Sequence, residues 1–126
     1  MRLRKRCSLR KNNRQPSSNL FAGFSGDGQA EQAQELFRLT AGRVLRIQSC
    51  GQVSPPGFWY EEPEDEWIAV LTGEGELEWP DGGRQRLKSG DWLFIPAGEK
   101  HRVSYTSSRP PCFWLAVYGR IEVDDG

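Results

Sequence analysis

Gly90-Asp91-Trp92-Leu93-Phe94-Ile95-Pro96-Ala97-Gly98-Glu99-Lys100-His101 contains two reversals and the starts of two strands. Ser89-Gly90 turns the chain into the apolar run 91–95. Pro96-Ala97-Gly98 turns it again into 101–106. Proline presets φ and donates no hydrogen bond to a ladder, while glycine takes backbone angles closed to other residues, so Pro-x-Gly between apolar runs marks a tight turn. A positive φ is expected at Gly98.

The same texture extends outward. Upstream lie strand-like segments at 84–88 and 75–79, joined by the hairpin turn 80–83. Before them come 66–72, then 58–62 behind the proline-containing 54–57. In 43–49, Val44, Arg46 and Gln48 alternate with Leu45, Ile47 and Ser49. Downstream, the loop 107–111 leads to a last strand at 112–118. Strands this short and evenly spaced predict an all-β sandwich or small barrel rather than βαβ units. One segment reads differently. Ala30, Ala33, Leu36 and Phe37 fall at helical spacing with Glu31 and Glu35 between them, which predicts a short amphipathic helix over 29–39 after a turn at 25–28. Residues 19–24 read as a packing arm.

Length and composition agree with one domain. The chain has 126 residues, is 37% hydrophobic and carries 14 Gly and 8 Pro, scattered as turns demand. Its 5 Trp, 3 Tyr and 6 Phe compensate for the low apolar fraction with large buried area. No apolar run approaches the roughly 20 residues of a membrane span, and no apolar core follows the basic N-terminus as in a signal peptide. Cys7, Cys50 and Cys112 form no CxxC pair, which points to reduced thiols and a cytoplasmic protein. The zero net charge is asymmetric: Arg2, Arg4, Lys5, Arg6, Arg10, Lys11 and Arg14 carry seven positive charges before the first acid, and the remainder is net −7. Residues 1–18 are therefore expected to be a flexible basic leader, and 19–126 the folded domain. Nucleic-acid binding would rest on the leader alone, since the body repels phosphate.

The densest ionisable stretch is Glu61-Glu62-Pro63-Glu64-Asp65-Glu66, directly before the apolar Trp67–Leu71 run. Most of these acids must be solvated. Glu66 differs because it shares a strand face with Ile68, Val70 and Thr72, and a part-buried carboxylate needs a partner. The single histidine, His101, begins a strand on the face expected for Val103 and Tyr105.

The opening stretch resembles the second motif of the cupin family, G-x5-P-x-G-x2-H-x3-N. Gly90, Pro96, Gly98 and His101 fall on it, and Tyr105 replaces the closing Asn. Glu66-x6-Gly73 is similar to the second half of the first cupin motif, H-x-H-x3-4-E-x6-G. Both histidines of that first motif are absent. One spacing puts Tyr60 and Glu62 in their places, the other Trp59 and Glu61; Pro63, following Glu62, favours the first. The resemblance implies a double-stranded β-helix (jelly-roll) barrel, small-molecule binding and a homodimer. It also implies a site in which Glu66 and His101 are catalytic, Glu62, Glu66 and His101 hold a metal, and Tyr60 and Tyr105 contact ligand. One imidazole with two carboxylates is an oxygen-rich set suited to Mn, Fe, Mg or Zn rather than Cu(I). A two-His-one-carboxylate iron centre cannot be built from one histidine.

Two functions follow from the resemblance. One is a divalent-metal-assisted isomerase, epimerase or lyase. The other is a ligand-sensing or structural cupin module without metal. No P-loop, Rossmann fingerprint, GxSxG elbow or zinc ribbon is present. Arg46 and Gln48 would orient an anionic ligand if their strand face pointed inward, and Cys112 reads as a small buried residue.

Overall fold

The structure, a computed structural model, describes residues 19–23 and 28–122. The expected basic leader, 1–18, lies outside the described residues. The order is β1 (Gln32–Leu39), β2 (Gly42–Ser49), β3 (Asp65–Thr72), β4 (Glu74–Glu78), β5 (Arg84–Lys88), β6 (Trp92–Ile95), β7 (Arg102–Thr106) and β8 (Cys112–Gly119). A five-stranded sheet runs β1-β2-β8-β3-β6 and faces a three-stranded sheet, β5-β4-β7, with every pairing antiparallel. This is the expected two-layered jelly roll. Among the described residues no helix is long and apolar enough to cross a membrane.

Period-2 alternation builds the interior. On β3, Glu66, Ile68 and Val70 point between the sheets; on β8, Cys112, Trp114 and Ala116 do. With Leu77, Leu87 and Ile95 the apolar members of these sets form one continuous core. Burial pushes the Cys112 thiol up to about 12, so it serves as a small core residue rather than a nucleophile.

The helix expected over 29–39 is not formed; Gln32–Leu39 is the edge strand β1, paired with β2. The physical reason is a bulge. Glu35 pairs with Leu45 and Phe37 with Val44, leaving Leu36 as an extra residue that breaks alternation. The resulting run of partly buried side chains from Gln34 to Phe37 mimics helical spacing, and pairing with β2 overrides local propensity.

The arm at 19–23 lies over the outer face of the five-stranded sheet. Phe21 meets Phe113 edge-on at 4.9 Å. Buried Arg46 donates to the Asn19 and Leu20 carbonyls at 3.2 and 2.8 Å and to Gln34 Oε1 at 2.7 Å. Its strand face is therefore outward, and Arg46 fastens the arm instead of orienting a ligand inside.

Candidate functional site

Between the sheets lies a cavity of about 270 Å³, just under the roughly 300–1,000 Å³ usual for small-molecule sites. At one part of its wall, Glu66 Oε1 and His101 Nε2 are 3.3 Å apart, with side chains only 8% and 5% exposed. Several local devices bring them together. Glu66 is the second residue of β3 and lies opposite Ile95 and Tyr118. His101 follows the Pro96–Gly98 turn, where Gly98 has φ +81° and its N–H donates to the Glu62 carbonyl at 2.8 Å. Asp65 braces that turn by accepting from Ala97 N–H at 2.9 Å and from Ile121 N–H at 3.0 Å. Those two backbone bonds hold its carboxyl below the usual range.

Tyr60 completes this part of the wall. Its backbone exchanges hydrogen bonds with His101, N–H to carbonyl at 2.7 and 3.1 Å, and the rings stack with centroids 5.6 Å apart. The imidazole is clamped at both nitrogens. Nδ1 donates to the Glu99 carbonyl at 2.9 Å, so with Nε2 facing a carboxylate the doubly protonated ring satisfies both neighbours. Burial opposes the charge, but the Glu66 and Glu99 bonds and the nearby carboxylates of Glu66 and Glu62 outweigh it and raise the His101 pKa. Burial, and then the negative charges of Glu31, Glu66 and Glu62, raise the Tyr60 phenol. Burial and the adjacent Glu66 push Tyr118 far above its usual range, keeping it a neutral hydroxyl.

Two of the expected site residues lie elsewhere. Tyr105 is outside the barrel, under the Arg86 guanidinium at 4.1 Å. A bulge again explains the difference: Val103 pairs with Leu77 and Tyr105 with Glu76, so Ser104 is surplus and alternation after His101 shifts by one. Val103 lines the cavity, Thr106 is buried and Tyr105 faces out. Glu62 is half-buried and Glu61 exposed, and neither lines the cavity. Glu62 acts on the site through its carbonyl and its charge. Among the described residues no three His, Cys, Asp or Glu side chains come together as a metal-holding group. The Glu66–His101 pair offers two protein donors, fewer than the three of catalytic metal sites, so the donor set does not fit the expected ion.

The structure adds residues that sequence reasoning missed. Glu31, Ser49, Trp114 and Tyr118 line the cavity. Ser49 Oγ donates to Glu31 Oε1 at 3.3 Å and accepts from Trp114 Nε1 at 3.2 Å. Glu31 is exposed and lines the cavity, which places it at the solvent side of the space. Partial desolvation raises its pKa, partly offset by the Ser49 bond. Its assignment to a helix hid it. The one available signal was its position immediately before the run that pairs with 43–48.

A cupin domain model matches residues 50–118, which span both sheets and the Glu66–His101 pair. The chain belongs to the cupin family. A Ralstonia eutropha JMP134 structure, described as a candidate mannose-6-phosphate isomerase, is 39% identical with a TM-score of 0.77 over 82% of this cupin and 97% of that chain. A cupin superfamily protein from Desulfitobacterium hafniense DCB-2 shares the fold at 15% identity, with a TM-score of 0.66 over 78% and 84% of the two chains. An uncharacterised Aquifex aeolicus protein is 44% identical over 48 residues, 38% of this cupin and 39% of that relative, so the match spans about two fifths of the relative's length.

Proposed function

We propose that this cupin binds a compact polar molecule in its barrel and moves a proton on it, in an isomerase-type reaction that needs no bound ion. The observation that carries this reading is the 3.3 Å contact of Glu66 with His101 on the wall of a solvent-connected cavity. Acid–base chemistry needs a carboxylate held in position and a nearby neutral hydroxyl, and both are present. In this scheme Glu66 removes the proton from a carbon next to a carbonyl. Tyr60, whose hydroxyl makes no hydrogen bond among the described residues, donates one to the carbonyl oxygen as charge develops there. Glu66 then returns its proton to the neighbouring carbon of the enediol while the second hydroxyl closes to a carbonyl and gives its proton to the Tyr60 phenolate, which restores both groups and completes the isomerisation. His101 fixes the Glu66 carboxylate, and its stack on Tyr60 fixes the phenol. The candidate mannose-6-phosphate isomerase among the relatives makes aldose–ketose interconversion the first reaction class to test.

A second reading has support in the burial of the pair: side chains 8% and 5% exposed that bond each other also suit a structural strut in a binding module. The experiment that separates the two is deuterium wash-in from D₂O, followed by NMR, over a panel of three- to six-carbon hydroxy- and aminoketones. Exchange catalysed by the wild type and lost in Glu66→Gln supports proton transfer. Binding without exchange across the panel would leave the binding module.

A further inference from the structure

On the cavity wall two carboxylates, Glu31 and Glu66, face one imidazole, His101, and among the described residues no Lys or Arg lines the space. Glu66 has an imidazole beside it. Glu31 has no cationic partner among the described residues, only the Ser49 hydroxyl at 3.3 Å. Glu31 is solvent-exposed and lines the cavity with a neutral hydroxyl as its partner, so its charge is left for a cation arriving in the cavity to pair with. The remaining wall suits such a guest. Tyr60, Trp114 and Tyr118 also line the space, with one face of Tyr118 under the Arg43 guanidinium and Tyr60 stacked on His101, and aromatic side chains suit an ammonium group better than a phosphate. Phosphate recognition calls for Arg forks, Lys or clustered N–H donors, and among the described residues the lining supplies no Arg or Lys.

We infer that the ligand of this cupin is a small organic cation, an amine-bearing molecule whose ammonium group is held by Glu31 at the rim while its reactive carbon lies toward Glu66. This rests on the acid–base reading for the second half only; the ammonium site stands on the lining of the cavity alone. It also separates this cupin from the sugar phosphate in the description of its Ralstonia relative.

Three probes of similar size and different charge test it: aminoacetone (cationic), dihydroxyacetone (neutral) and dihydroxyacetone phosphate (anionic). Calorimetry on the full-length protein should show aminoacetone binding at least about tenfold more tightly than either of the others. Glu31→Gln should erase that preference, and Glu31→Lys should shift preference toward the phosphate. Circular dichroism and thermal melting of both variants control for folding. Tighter binding of the phosphate, an amine preference that survives Glu31→Gln, or no binding of any probe would overturn the inference. Deuterium exchange keeps the two readings apart. Exchange of dihydroxyacetone without an amine preference sinks the ligand class and spares the proton transfer. Glu31-dependent binding of aminoacetone without exchange does the reverse.

Discussion

Two carboxylates face one cavity, and their surroundings could hardly differ more. Glu66 sits on a central strand with an imidazole at 3.3 Å, behind a turn pinned by Gly98 and Asp65. Glu31 precedes an edge strand, meets solvent along part of its surface and has a serine hydroxyl for company. The first is locked by structure on every side, and the second is held by one weak bond. A buried ion pair is costly to break because the surviving charge stays buried. A rim carboxylate with one neutral partner costs little to remove and gains most from a ligand. The lesson is a division of labour within one pocket: one acid is invested in the fold, the other left available.

The largest expected effect tests the locked end. His101→Gln should destabilise the protein by about 3–5 kcal/mol in urea denaturation, because Glu66 would remain buried without its cation. The effect should also depend on pH. The folded pKa of His101 is raised above the ordinary 6.5, so its contribution is present in full below 6.5 and is lost as pH rises through the raised value. The gap between wild type and His101→Gln should therefore narrow from pH 6.5 upward. A gap that widens over that range would mean the ring is neutral in the folded protein and would break the comparison.

Next comes the joint between the two ends. Ser49→Ala removes the acceptor of the buried Trp114 N–H as well as the partner of Glu31, and should cost about 1–3 kcal/mol by thermal melting. A neutral result would show that Trp114 finds another acceptor and that the rim is looser than its hydrogen bonds suggest.

Gly98→Ala measures the turn that delivers His101. A Cβ there meets nothing within 4 Å, so the whole cost is the backbone strain at φ +81°, about 1–2 kcal/mol. Gly75 supplies a control of the opposite kind. Its φ is ordinary, but an added Cβ would fall 2.3 Å from the Trp114 ring, a clash with the core instead of strain. Equal stability of Gly98→Ala and wild type would detach the turn from the site's rigidity.

The smallest effect belongs to the available end. Glu31→Gln should change stability by no more than about 0.5 kcal/mol. A loss of 2 kcal/mol or more, read from the same denaturation curves, would place Glu31 in the fold beside Glu66 and remove the contrast.

How much of this the amino-acid sequence discloses depends on whether alternation runs unbroken. Along 65–70 and 112–118 it does, and the inward faces, including Glu66 beneath Ile68 and Val70, are read directly. The Pro96–Gly98 turn announces itself through residues whose backbone preferences are extreme, and it carries His101 to Glu66. The two misreadings share a cause. Leu36 and Ser104 are each the extra residue of a bulge, neither is glycine, and nothing local marks the slip. At Leu36 the slip imitates a helix and conceals Glu31; at Ser104 it turns Tyr105 out of the barrel. The Glu62 misplacement has a different origin. Segment 58–62 makes a single bridge at Tyr60 instead of a strand, so no ladder fixes which way Glu62 points. Charge complementarity across a cavity is a property of many separated residues, and it becomes visible only once the sheets are closed.

The bulge in β7 is also a tolerance for length. Ser104 is the one residue of that strand without an opposite number on β4, while Val103 and Thr106 face inward and Tyr105 outward on either side of it. Excising Ser104 would restore strict alternation and leave those three side chains on the faces they already occupy. Excising Val103 would instead remove part of the cavity wall. For a lineage that changes by deletion as well as by substitution, β7 thus holds one position at which the gene can lose a codon without rewriting the interior, giving up the bond from the Ser104 hydroxyl to Glu76 Oε1 at 2.8 Å.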